Sequence, residues 1–263
     1  MSRKKIIGII IGTILIIAAC IIGGFALKEY IYNKKHPLFE KTTIFPNKKQ
    51  ICAKDTTIIV KGIEIKMIGI KGGKICCEGL RDTINLSDFY IGETEVTQKQ
   101  WAAIMGNNPS NNQGCDSLPV EDIDLLECLE FVHKLDSITN RQFYIPSYPL
   151  WLYVAYLGKW NPNHPNYKDK LDDVAWWQNN SSNTTHPIKQ KSPNSLGIYD
   201  MIGNVAEWTI SGSDPLFFVM GGSYESDYKH CKFDCFEVDH ANIKMGAIGL
   251  RVVYLPYAKK QNK

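Results

Sequence analysis

Asp200-Met-Ile-Gly-Asn-Val-Ala-Glu-Trp208 is the segment from which the fold of this 263-residue chain is inferred. Its two carboxylates, Asp200 and Glu207, stand seven residues apart, and Gly203 interrupts the segment between them. An irregular turn exposes backbone carbonyl oxygens, and these together with two carboxylates suit a hard cation such as calcium. The alternative interpretation is a turn whose acids are solvated or salt-bridged.

The central segment, extended to Pro193–Trp208, is the third of five motifs along the chain. The other four are Phe89–Ser110, Leu118–Glu121, Gly221–Tyr224 and Gly249–Arg251. Each alone is a weak signal, but five in one order are specific. Together they resemble the formylglycine-generating enzyme (sulfatase-modifying factor) family over about residues 57–254. The resemblance implies an α+β domain with few long elements, in an irregular C-type-lectin-like fold.

The resemblance also implies a structural calcium ion at the central segment. The ligands carried over from the family are the side chains of Asp200 and Glu207 and the backbone carbonyls of Gly203 and Val205. Trp208 would then lie beside the ion, where a large aromatic side chain is most often buried.

The oxidase chemistry of the family needs two cysteines, because a pair of soft thiolates selects copper(I). The family places them two and seven positions after the aromatic residue of the Gly221–Tyr224 motif, which gives Ser226 and Cys231 here. A serine hydroxyl is a poor copper(I) ligand, and Cys235 would lie about 13 Å from Cys231 along an extended strand. We therefore expect no copper site, and Cys231 is a catalytic candidate only if an unconventional partner such as His230 or His240 replaces the missing thiol.

A second departure from the family lies in the segment Tyr144–Ala155. Family members carry an arginine and three glutamates here, whereas this chain has aromatic or apolar residues at all four positions and keeps Pro146, Trp151, Tyr153 and Ala155. One explanation is drift in a domain freed from catalysis. The other is a new apolar surface that docks a partner, formed by Tyr148, Leu150, Leu152 and Tyr156.

The N-terminus predicts a membrane anchor. Ile6–Leu27 is a run of 22 uncharged residues preceded by Arg3, Lys4 and Lys5. As a helix it would be about 33 Å long, enough to cross the hydrocarbon core. The basic residues favour a cytoplasmic N-terminus. The alternatives are a lipoprotein, with Cys20 lipidated after a lipobox-like Ile17-Ala-Ala-Cys20, and a cleaved signal peptide.

The predicted organisation follows from this anchor: a cytoplasmic N-terminus (1–5), the anchor (6–27), a linker (28–56), the family-like domain (57–254) and a C-terminal tail (255–263). All three interpretations of the anchor place the domain outside the cytoplasm, and a bacterial cell envelope fits best. The chain is 44% hydrophobic and 22% charged, as in ordinary globular proteins.

Charge and cysteine usage limit the possible partners. Residues 1–35 carry a net charge of +5 against +3 for the whole chain, so the remainder is near −2. Without a cluster of Lys and Arg, nucleic-acid binding is not expected. Seven cysteines follow the anchor, at positions 52, 76, 77, 115, 128, 231 and 235. Disulfides are allowed outside the cytoplasm, but sequence cannot give their pairing.

Periodicity predicts the main elements of the domain. We expect a hairpin over 57–70, a strand over 84–91 and a final strand over 248–254. Helices are predicted from the N-cap Thr97 to Met105, over 121–135, with an apolar face of Ile123, Leu126, Leu129 and Val132, and over 149–158. Residues 159–193 are predicted to form one long loop.

The function predicted from these observations is non-catalytic binding or scaffolding by a membrane-anchored domain outside the cytoplasm. Its ligand would be a protein or a glycan at the cell surface, bound by the 159–193 loop and the region 223–239, whose mixed side chains suit adaptable recognition. The candidate binding residues are Ser223, Tyr224, Ser226, Tyr228, His230 and Trp208. The alternative function is a divergent formylglycine-generating oxidase that uses Cys231.

Overall fold

The computed structural model describes residues 43–46, 54–76, 83–159, 167–210, 217–232, 236–242 and 244–256. This part of the chain is mixed α/β. Its four helices are α1 (Gln98–Met105), α2 (Leu125–Thr139), α3 (Tyr148–Leu157) and α4 (Tyr167–Val174). Its strands are β1 (Thr43–Pro46), β2 (Thr56–Val60), β3 (Ile63–Ile70), β4 (Gly73–Cys76), β5 (Ile84–Asn85), β6 (Phe89–Gly92), β7 (Phe143–Tyr144), β8 (Ala206–Ile210), β9 (Phe217–Met220), β10 (Phe236–Asp239), β11 (Ile248–Gly249) and β12 (Val253–Tyr254).

These strands form three small sheets with the orders β1-β4-β5, β10-β9-β8-β11 and β2-β3-β6-β12-β7. The predicted hairpin is confirmed as β2 and β3, which pair antiparallel with Ile58 opposite Ile65. Its two-residue turn places both Lys61 and Gly62 at positive φ, as the favoured tight hairpin turn requires. The predicted strands over 84–91 and 248–254 are each two short strands instead of one.

Helix α1 begins where the sequence predicts. Thr97 is its N-cap, and a reciprocal capping box joins Thr97 to Gln100. The helix buries Trp101, which stacks on Phe131 of α2 with ring centroids 5.0 Å apart. This pair joins the first two helices in the main core, which also receives side chains from β2, β3 and the C-terminal strands.

Helix α2 starts later and presents a different face from the one predicted. Asp124 caps it, so Ile123 precedes the helix. Leu126 and Leu129 are exposed, whereas the core is formed by Leu125, Cys128, Phe131, Val132 and Leu135. A strict spacing of three falls about 60° short of a full turn at each step, so such a series drifts around the helix and leaves the buried face.

Helix α3 does not form the predicted apolar docking surface. Leu150 is 9% exposed and Leu152 is fully buried, while Tyr148 is half-buried with its ring 4.7 Å from that of Phe218. Strands β1, β8 and β9 all contact this helix. Because a strand from the N-terminal side packs there, the apolar residues belong to the interior.

Two predicted loop or linker regions contain regular structure. Residues 43–46, predicted to lie in the linker, form β1 and pair with β4. Helix α4 interrupts the predicted 159–193 loop and buries Tyr167, Leu171 and Val174. Both elements are short, so their periodicity is too brief to detect in sequence.

The predicted anchor over 6–27 and Cys20 lie outside the described residues. Within the described ranges, no helix combines the length and apolar character needed to cross a membrane.

Candidate functional site

A buried ion pair lies at the centre of the domain. Arg251 follows β11 and is 0% exposed, and Glu207 on β8 is 1% exposed. The Arg251 Nη2 atom is 2.7 Å from Glu207 Oε1, and Nε donates to Oε1 and Oε2 at 2.8 and 3.1 Å. Trp151 Nε1 of α3 donates to Oε2 at 2.6 Å. Both carboxylate oxygens of Glu207 are therefore fully engaged.

The same guanidinium also holds two other parts of the backbone. Its Nη1 atom donates to the Gly92 carbonyl at 2.9 Å, and its Nη2 atom donates to the carbonyls of Tyr199 and Asp200 at 2.9 and 3.3 Å. Arg251 thus joins strand β6, the start of the central segment and strand β8.

Two more buried carboxyl groups surround this pair. Glu95 accepts hydrogen bonds from Asn204 Nδ2 at 2.8 Å and from the Val205 amide at 3.0 Å. Its burial, next to Asp200 and Glu207, raises the pKa of Glu95 well above its usual range. Asp200 Oδ2 accepts from the Lys189 amide at 2.9 Å, while Oδ1 is buried without a partner. Burial raises the pKa of Asp200 to about 6.

The predicted calcium ligands come together, but their side chains do not fit a calcium ion as folded. Calcium takes six to eight oxygen ligands, and Glu207 has none to spare because Arg251 and Trp151 occupy its carboxylate. Among the residues that the structure describes, no group of three or more His, Cys, Asp or Glu side chains could hold a metal ion. Calcium at this segment stays a prediction.

The glycine of the central segment is required by the packing around it. Gly203 has φ +76°, and a Cβ there would lie 2.2 Å from the Trp176 carbonyl oxygen. Asn204 follows at positive φ and uses its side chain to accept from the His186 amide and to donate to Glu95. The segment is therefore a tight turn fixed on both sides by buried polar contacts.

The Gly221–Tyr224 turn packs directly on this segment. The Tyr224 amide donates to the Asn204 carbonyl at 2.9 Å, and its hydroxyl donates to the Gly246 carbonyl at 3.2 Å. Tyr224 is 5% exposed, and burial raises its pKa to about 12. Tyr224 is therefore a bracing residue of the turn and not an exposed contact.

The two family cysteine positions differ in chemistry and in burial. Ser226 Oγ accepts from the Ser223 amide at 2.9 Å and lies 3.4 Å from Ser223 Oγ, which closes a short turn. Cys231 is 0% exposed. The described part of this turn supplies one thiol and one hydroxyl, which do not fit a two-thiolate copper site; Cys235 lies outside the described residues.

The exposed part of the predicted binding region is a small basic and aromatic surface, here called the Tyr228 surface. Tyr228 is 36% exposed, with Lys168 Nζ 5.1 Å and Lys229 Nζ 5.9 Å from its ring centroid. His230 Nδ1 lies 2.7 Å from Asp227 Oδ1. Among the described residues, neither lysine forms a salt bridge with a carboxylate.

Helix α4, which sequence analysis missed, positions this surface. It supplies Lys168, and its first residue, Tyr167, donates from its hydroxyl to the Cys231 carbonyl at 2.5 Å. The ring of Tyr167 also lies 5.9 Å from Lys232 Nζ.

Trp208, predicted as a binding residue, is not accessible to a ligand. It is 0% exposed and donates from Nε1 to the Ile123 carbonyl at 3.0 Å, so it belongs to the core.

The Arg251 network was not predicted, although its parts were quoted within separate motifs. Arg251 is the only arginine after Arg141, and it stands among apolar residues in Ile248–Tyr254. A lone arginine in an apolar run signals a buried charge that needs a partner. Sequence alone could not select Glu207 from the many acids as that partner.

Comparison with known proteins agrees with this architecture. A family model described as sulfatase-modifying factor enzyme 1-like domain matches residues 41–255. The chain is 31% identical over 176 residues to "Chaperone protein LppX" of Paenibacillus barcinonensis, covering 48% of this chain and 62% of that relative, less than two thirds of its length.

Several solved structures share the fold. Treponema denticola variable protein 1 matches with a TM-score of 0.69 and 25% identity, over 77% of this chain and 99% of that chain. PvdO from Pseudomonas aeruginosa matches with a TM-score of 0.65 at 16% identity, over 77% and 99% of the two chains. CarF matches with a TM-score of 0.55 at 22% identity, over 72% and 98%. At these identities the last two comparisons concern the fold alone.

Proposed function

This chain belongs to the sulfatase-modifying factor enzyme 1-like family, and we propose that it is a non-catalytic binding or scaffolding member acting in the cell envelope. The observation that carries the proposal is the pair of positions that the family uses for copper(I). Ser226 offers a hydroxyl that is already hydrogen-bonded in a turn, and Cys231 is completely buried. A reaction that needs two thiolates beside a substrate thiol is not supported by this arrangement.

The Tyr228 surface supports a binding role. An exposed aromatic ring provides apolar contact area, and two ammonium groups beside it attract negative charge. Asp227 is not paired with either ammonium group: its Oδ1 accepts from the backbone amides of Lys229 and His230 at 2.9 and 3.0 Å and from the His230 ring. An anionic glycan is the ligand class that fits both features.

A polypeptide client is the second candidate ligand. The relative of Paenibacillus barcinonensis is named as a chaperone protein, and a chaperone acts by binding other chains. Because this chain spans only part of that relative, the client remains the less supported candidate.

The proposed location is the membrane, with the domain outside the cytoplasm and residues 6–27 as the anchor. The alternative is a lipoprotein attached through Cys20. Mass spectrometry of the full chain from membranes distinguishes them, since cleavage and lipidation at Cys20 would remove residues 1–19.

The oxidase alternative is tested by direct assay. The full-length chain is loaded with copper(I) and incubated with a Cys-x-Pro-x-Arg peptide, and formation of the aldehyde is followed by mass spectrometry. We expect no turnover. Aldehyde formation that disappears in Cys231→Ala would show that the protein is an enzyme and would refute the binding proposal.

Binding is tested with immobilised polysaccharides, some bearing uronate or phosphate groups and some neutral. We expect binding to the anionic polymers that weakens with salt. Tyr228→Ala should lower the affinity about tenfold and Lys168→Gln by severalfold, whereas Lys74→Gln, on the separate strand β4, should leave it unchanged. Equal binding by all three variants would show that the Tyr228 surface is not the site. Suppression of the aggregation of an unfolded protein, without polysaccharide binding, would favour the polypeptide client.

A further inference from the structure

We infer that the Asp200–Glu207 segment does not hold a calcium ion, because the guanidinium of Arg251 already pairs with Glu207 and supplies the internal cation around which this domain folds. The inference concerns the folded core and is independent of the proposed ligand. It rests on the contacts of Arg251, the state of the candidate ligand oxygens and a small cavity beside Asp200.

Arg251 binds oxygen atoms from several parts of the chain. A calcium ion would tie together carboxylate and carbonyl oxygens from different parts of the chain. Arg251 does this with its guanidinium, which binds the Glu207 carboxylate and the carbonyls of Gly92, Tyr199 and Asp200. The Nε and Nη2 atoms of the guanidinium lie 2.8 and 2.7 Å from Glu207 Oε1, and both residues are buried, so water does not screen this ion pair.

Few carboxylate oxygens of this region are left without a hydrogen-bond partner. The oxygens of Glu207 receive Arg251 and Trp151, and those of Glu95 receive Asn204 and Val205. Only Asp200 Oδ1 among these three carboxylates is buried without a partner. The predicted calcium site takes two carboxylates, and only that of Asp200 has an unoccupied oxygen.

Asp200 lines a small cavity. Its volume is about 20 Å³, and Asn194 also lines it. Asn194 Oδ1 accepts from the amides of Leu196 and Ile198 at 2.9 and 3.1 Å, which fixes the orientation of its amide group. The Nδ2 atom, buried without a partner, is a donor and opposes a cation. A donor, an acceptor and this volume suit one water molecule.

The wild-type protein gives the primary test. The melting temperature of the full-length chain in detergent is measured in excess calcium and in EDTA, and calcium binding is measured by titration calorimetry. We expect the same melting temperature in both and no calorimetric binding at this segment. A calcium-dependent rise in melting temperature that is lost in Asp200→Asn or Glu207→Gln would overturn the inference.

Variants of the pair test the role of Arg251 itself. Arg251→Met leaves Glu207 buried without a counter-charge and should lower the melting temperature by roughly 10 °C, with or without calcium. Adding Glu207→Gln to that variant should restore part of the loss, because the uncompensated charge is removed. The control Lys134→Met, in an exposed pair with Glu130, should shift it by less than about 2 °C. If Arg251→Met does not fold, the calcium measurement on the wild type still decides; absence of any rescue in the double variant would count against the inference.

Discussion

The side chain of Glu93 forms ion pairs with two segments that are distant from each other in sequence. Its oxygens lie 2.6 Å from Lys66 Nζ on β3 and 2.5 Å from Lys189 Nζ in the segment before Asp200. Burial alone would raise the pKa of Glu93, but the hydrogen bonds from the two lysines outweigh it and lower the pKa below its ordinary value. The Glu93 side chain is 8% exposed, so these pairs are better shielded from solvent than surface pairs.

We predict that Glu93→Gln lowers the free energy of unfolding by about 1–2 kcal/mol at neutral pH. Because the pKa of Glu93 is lower in the folded than in the unfolded state, ionised Glu93 contributes stability above the unfolded-state pKa of about 4.3. This contribution is lost as the pH falls through the folded-state pKa, so variant and wild type should converge in acid. Urea denaturation at several pH values measures the difference. Glu130→Gln, at an exposed pair, is the control, and a pH-independent difference at Glu93 would contradict the ion-pair explanation.

The apolar residues of helix α3 are buried because neighbouring strands pack against the helix. The residues that replace the glutamates of the family include Leu150 and Leu152, and both are buried. Strand β1 contacts the helix from outside the region in which the family motifs were found. Strands β1, β8 and β9 contact α3, so its apolar residues are packed in the interior.

We predict that Leu152→Glu, which restores the family residue, destabilises the domain by more than about 4 kcal/mol, because it buries a carboxylate at a fully buried position. Tyr148→Glu, at a half-buried position on the same helix, should cost about 1 kcal/mol through loss of its contact with Phe218. Thermal unfolding compares the two. If Leu152→Glu is as stable as Tyr148→Glu, α3 is not covered as described.

The C-terminal strands close the largest sheet of the domain. Strand β12 lies between β6 and β7, although about 160 residues separate β6 from β12 in sequence. The Leu250 carbonyl accepts from the Val96 amide at 2.7 Å, and the Val252 carbonyl accepts from the Gly92 amide at 2.9 Å. The residues that make these contacts also deliver Arg251 to the interior, so sheet closure and the ion pair form together.

We predict that a chain ending at Gly249 does not unfold cooperatively, because it lacks the interior strand β12, Arg251 and the buried residues Leu250, Val252 and Val253. A chain ending at Pro256 keeps these contacts and should melt within about 2 °C of the full chain. Near-ultraviolet circular dichroism and thermal melting report the outcome. A cooperative transition in the shorter chain would show that closure by β12 is dispensable.

Local sequence was enough to predict the family, the hairpin over 57–70, the capped start of α1 and the loss of the first family thiol at Ser226. Each of these depends on residues close together in the chain, where turn chemistry, capping and motif spacing act locally. The calcium site at Asp200 and Glu207 stays a prediction: local spacing shows that these acids are near each other but not that Arg251 pairs with Glu207.

Folding in three dimensions brings Arg251, 44 residues beyond Glu207, into contact with that carboxylate. The tertiary structure likewise decided that α3 is covered by β1, that α2 buries a different face, and that Trp208 is core while Tyr228 is surface. These outcomes depend on pairings between distant segments. Burial of a charge is favourable only when such a pairing supplies its partner, and this is information that no local pattern contains.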